Sequence, residues 1–185
     1  MLNELIERLS SDSFNPELNF QVAQEYGRLS QSSSEVSFYL RAIEYGYREE
    51  RTYTYNALLK VAQCFNSQNG RVHSVSNSLL QAVAYDPERP EAYFLLGQFY
   101  EAEKQWQECY TWSHLGLTVA KEFAPLPETV GYTGLYSLEF EKAVSAWWIG
   151  RKDESIETFK RLLQNPDVSE PYRIAIKNNL SKIDG

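Results

Sequence analysis

The residues Leu58, Val61, Ala62 and Phe65 recur 35 positions later as Tyr93, Leu96, Gly97 and Tyr100. A step of that size is the length of one helix pair, and such a unit cannot bury its apolar face alone. It must stack on neighbours, which restricts the chain to an array. Residues 89–117, RPEAYFLLGQFYEAEKQWQECYTWSHLGL, show one unit complete: two helical stretches, a short polar turn, and aromatics on one face of each. A small residue at Gly97 lets the two helices approach, and Tyr100 fills the notch between them. Small residues near Cys109 and Gly116 receive a neighbouring ridge.

Weaker copies flank this unit. Val22, Ala23 and Tyr26 precede Tyr39 and Ala42; Ala143, Ala146 and Trp147 precede Ser155, Phe159 and Leu162. Punctuation agrees. Asn15 with Pro16 starts a helix, with Ser33 or Ser34 as the next cap. Gly46, Asn69-Gly70, Pro87 and Pro166 stop helices. The one irregular break is APLPETVGYTGLY. Ser169 and Pro171 open a last helix with Tyr172, Ile176, Leu180 and Ile183 on one face and polar residues on the other, as a terminal cap requires. No stretch alternates as a strand does. The expectation is an all-α, right-handed α-solenoid, one domain over 1–185. Its helix pairs span roughly 15–46, 49–87, 89–123 and 127–166, with a capping helix at 169–183.

The large-Leu-Gly-aromatic spacing, the small residues after it and Asp86-Pro87 before it resemble the tetratricopeptide repeat. A narrower likeness covers about 38–183. The REER stretch after an aromatic, the AxWWxGR turn and the closing NNL helix resemble the helical region found behind family 2 glycosyltransferase domains. That resemblance implies an accessory role, because the chain has no mixed α/β half and no DxD motif.

Composition removes other classes. Net charge is −7 with Lys and Arg scattered among more numerous acids, so nucleic acid and anionic membrane are poor partners. The acidic N-terminus lacks a signal pattern, and no window is apolar enough to span a bilayer. The reading is a soluble, cytoplasmic protein, with Cys64 and Cys109 as buried thiols. No catalytic, cofactor or metal site is expected. Glu49-Glu50, Glu139/Glu141 and Asp153-Glu154 read as helix starts or solvated faces. His73 and His114 have no ligand partners, and Ser113-His114 are helix neighbours that do not face each other. The REER run, residues 48–51, reads as a helix start with an internal ion pair.

In such arrays the first helices of successive units line one face. Gln24, Gln63 and Gln98 fall there, each four residues after an apolar side chain: Phe20, Leu59 and Phe94. Phe140 continues the series, Arg28, Asn66 and Glu101 flank it, and Trp147 or Trp148 could face the groove. Carboxamides beside aromatics can hydrogen-bond the backbone of an extended peptide without charge. Where related repeats hold a peptide C-terminus with Lys and Arg, the matching places here carry Gln, Phe and Asn. The expected role is a non-catalytic module for a protein or peptide, alternatively an accessory to a glycosyltransferase domain or its acceptor glycan.

Overall fold

A computed structural model describes residues 1–49, 51–121 and 123–183. Ten helices and no strand occur among the described residues: α1 Leu2–Ser11, α2 Pro16–Arg28, α3 Ser32–Gly46, α4 Arg51–Ser67, α5 Val72–Tyr85, α6 Glu91–Ala102, α7 Trp106–Val119, α8 Leu135–Trp148, α9 Lys152–Gln164 and α10 Glu170–Ile183. Glu50 and the side chain of Ile183 lie outside the described residues, and with them the Glu49-Glu50 pair and the end of the α10 stripe. The chain forms two compact units, residues 1–86 with 123–130, and residues 87–122 with 131–185.

In the first unit α1 to α5 pack each on the next. Asn15 caps α2, its Oδ1 accepting from the Leu18 amide at 2.9 Å, as the Asn-Pro pair predicts. α3 does not use Ser33 or Ser34 as a cap. It begins earlier, at Ser32, after Gln31, whose side chain makes no capping bond. Two apolar clusters fill the unit. Leu5, Leu9, Leu18 and Val22 seal α1 on α2. Phe20, Tyr39, Ala57, Val61 and Cys64 join α2, α3 and α4, with Phe20 set edge-on to Tyr39 and Tyr53. The internal pair expected of the REER run involves Glu50 and so lies outside the described residues, but the partner of Arg51 that is described belongs to another helix. Arg51 reaches Asp86 at 3.2 Å at the end of α5.

In the second unit α6, α7, α8 and α9 follow the same pattern, and α10 closes on α8 and α9. Glycine permits the closest approaches. A Cβ on Gly97 would meet Ser113 Oγ at 2.7 Å, and one on Gly116 would meet Tyr93 Cβ at 2.6 Å. Ala143, Phe159, Leu162, Val168 and Ile176 form the core against α10. Both cysteines are free and buried. Burial first, then the charge of Glu35, pushes the Cys64 thiol up to about 12. Burial and then Glu141 do the same to Cys109.

Candidate functional site

One face of α4 carries Asn56, Leu59, Lys60 and Gln63, at spacings of three and four that put them in a row. In an isolated helix this would be a polar stripe for water. Here it meets residues 123–130, a non-helical segment with a bend at Pro127-Glu128. Asn56 Nδ2 donates to the Glu128 carbonyl at 3.0 Å, and Asn56 Oδ1 accepts from the Glu128 amide at 2.8 Å. Gln63 Nε2 donates to the Val130 carbonyl at 3.1 Å. The side chains therefore treat the segment's main chain as a neighbouring strand would.

The Glu128 side chain is held separately. Lys60 Nζ lies 2.9 Å from one carboxylate oxygen, Tyr39 donates to the other at 2.8 Å, and Gln24 also hydrogen-bonds it. Burial alone would raise this carboxyl, but the bonds from Lys60 and Tyr39 and the Lys60 charge outweigh it and hold it below the ordinary range. The Tyr39 phenol is driven up by burial and by Glu128. Two positions on, Val130 is buried. Pro125 and Pro127 fix φ on the approach, and Gly131 leaves at φ 89°, a conformation that favours glycine.

Of the three carboxamides expected on a common face, Gln24 and Gln63 meet this segment. Gln98 instead hydrogen-bonds Glu141 in the second unit, as does Glu101. Glu141 is buried, with one carboxylate oxygen unpartnered. Burial, then the charge and hydrogen bond of Glu101, hold its carboxyl well above the usual range, with Gln98 acting in the opposite sense. Phe20, Leu59 and Phe94 are interior residues, not exposed aromatics of a groove; Phe94 is covered edge-on by Tyr132. Phe140 packs on Phe159 and Tyr172 in the α10 core. Arg28 and Asn66 are exposed, the former paired with Glu25. Trp147 lies under the Lys152 ammonium at 4.7 Å and lines a recess of about 240 Å³ with Trp148, Phe159 and Asn179. Tyr39, Asn56, Lys60 and Glu128 escape the sequence reading. The helical row 56, 60, 63 is the signal that could have found two of them.

His73 and His114 are exposed. No group of three or more His, Cys, Asp or Glu is placed to hold a metal ion among the described residues, and no helix there is long and apolar enough to cross a membrane.

The arrangement defines a class: antiparallel helix pairs stacked by small residues, an α-solenoid. Solved structures narrow it to the tetratricopeptide-repeat fold. The chain is similar to MamA (TM-score 0.64, 13% identity, 98% of this chain and 89% of that one). It is similar to TTC0263, a thermophilic TPR protein in Thermus thermophilus (0.62, 14%, 97% and 88%). It is similar also to YrrB, a TPR protein with an unusual peptide-binding site (0.66, 10%, 90% and 76%). No family model and no curated protein matches the chain.

Proposed function

We propose that this chain is a non-catalytic interaction scaffold that holds non-helical polypeptide on the polar row of α4. The observation that carries the reading is the pair Asn56 and Gln63, whose carboxamides make three hydrogen bonds to main-chain groups at 128–130. Main-chain bonds give affinity for any backbone, and side-chain pockets add choice. YrrB, of the same fold, has a peptide-binding site, which makes the reading a natural one for such helices. The test is to pan a random decapeptide display library on a Glu128→Ala/Val130→Ala variant, whose own segment holds the face less well, and on the same variant carrying Asn56→Ala/Gln63→Ala. Enriched peptides that bind the first and not the second support the scaffold. No enrichment on either sinks it.

A second reading is the accessory to a sugar-transfer enzyme. It is favoured by the recess of about 240 Å³ walled by Trp147, Trp148 and Phe159, with Asn179 and Lys182 at its lining. Aromatic faces with a polar handle suit sugar rings. Titrating a panel of monosaccharides while following the indole NMR signals tests it. Absence of any shift at Trp147 and Trp148 removes it.

A further inference from the structure

We infer that residues 123–130 are an internal ligand, and that the face they cover is a receptor for a peptide in trans carrying an acid followed two residues on by a small β-branched side chain, the Glu-x-Val of Glu128, Thr129 and Val130. This rests on the scaffold reading above and gives it a ligand.

The contacts divide as they do between a receptor and a peptide. All the receiving groups sit on helices: Gln24 on α2, Tyr39 on α3, Asn56, Lys60 and Gln63 on α4. All the received groups sit on a segment without regular structure. The main chain is bound at Glu128 and Val130. Selectivity comes from the Lys60 and Tyr39 grip on the carboxylate and from burial of Val130. A glutamine in place of the acid would lose the charge that Lys60 meets.

The segment is also delivered from afar. The helices of the first unit end with α5 at Tyr85, and the chain rejoins that unit only at Phe123. Occupancy of the face is therefore not set by local sequence. A face emptied of the segment presents an ammonium, a phenol and three carboxamides beside Leu59, so most of what the open form uncovers is polar and can be met by water. Pro125 and Pro127 lower the entropy lost each time the segment settles. A tethered ligand acts at an effective concentration in the millimolar range. A peptide in trans therefore sees a receptor that is free only part of the time, and its apparent affinity falls by that fraction.

The test uses a fluorescent peptide with the sequence of residues 123–132, FAPLPETVGY. It is titrated by anisotropy into the full chain and into a Glu128→Ala/Val130→Ala variant. The variant should bind it at least about 10-fold more tightly than the wild type, because its own segment then competes through its main chain alone, without the Glu128 carboxylate and the Val130 side chain. Lys60→Ala in that background, or a peptide with glutamine at the acidic position, should lose most of that gain. Equal affinity of wild type and variant, or indifference to the acid, overturns the inference. An unmutated readout guards against misfolding. Excess unlabelled peptide should speed hydrogen exchange at the Glu128 amide of the wild type, and unchanged exchange at millimolar peptide overturns the inference. Library panning on the variant separates the two levels. Enrichment of peptides lacking Glu-x-Val overturns this ligand and leaves the scaffold; enrichment of nothing overturns both.

Discussion

Asn56 and Glu128 close a ring of two hydrogen bonds across 72 residues of sequence, the amide side chain donating at 3.0 Å and accepting at 2.8 Å. Asn56 is fully buried, so the ring is shielded from water on the helix side. Asn56→Ala leaves the Glu128 amide and carbonyl without it. Unsatisfied groups of this kind cost about 1–3 kcal/mol. The expected result is a thermal midpoint lowered by about 2–4 °C for each kcal/mol lost. Faster hydrogen exchange should be confined to the segment and not spread through α4. Exchange rising equally over all five helices would show that Asn56 serves the core instead.

Acid should release the same segment. The Glu128 carboxyl is held below its ordinary 4.5, so its contribution is full above pH 4.5 and is lost as pH falls through the lower folded value. Other carboxylates titrate there too, so the measurement is a difference. The midpoint of wild type minus that of Glu128→Gln should be constant from pH 7 to about 5 and shrink below about 4.5. A difference that does not change with pH would mean that the Lys60 contact contributes nothing.

The reverse sign applies to Glu141. Its carboxyl is held above the ordinary value by burial and by Glu101, so stability is full below pH 4.5 and declines as pH rises through the folded value. One oxygen has no hydrogen-bond partner, and a neutral amide of the same shape avoids the cost of a buried charge. Glu141→Gln should therefore melt later than wild type, with the gap widening from pH 5 to pH 8. A gap that narrows over that range would place an unseen cation partner on the acid.

The helix pairs were legible because their signals are local. Asn15 and Pro16 begin α2, Asn69-Gly70 follows α4, and the 35-residue step from Phe65 to Tyr100 separates matching positions of α4 and α6. The α3 start was misplaced because serines there offered caps that the backbone does not use. Gln24 and Gln63 were legible through their spacing from apolar neighbours. Asn56 and Lys60 were hidden in TYTYNALLK, which reads as one apolar helix. Glu128 was hidden in a Pro- and Gly-rich break that reads as a connection. Its partners lie on three helices between Gln24 and Gln63, and no periodicity reports a contact of that range.

Two glycines test the stacking itself, and they should not respond alike. Replacing either by alanine gains about 1 kcal/mol of helix propensity. At Gly97 the new methyl meets Ser113 Oγ at 2.7 Å. That oxygen ends a short side chain, and rotation about one bond can carry it away. At Gly116 the methyl meets Tyr93 Cβ at 2.6 Å and Leu138 Cδ1 at 3.2 Å, one from α6 and one from α8. A Cβ moves only with its backbone, so two helices must shift, and overpacking of this kind costs about 1–3 kcal/mol. Gly116→Ala should therefore lower the melting temperature clearly, while Gly97→Ala changes it little. Urea midpoints of the two variants decide the matter. Equal midpoints would mean that α6 and α8 yield at Gly116 as readily as one hydroxyl turns at Gly97.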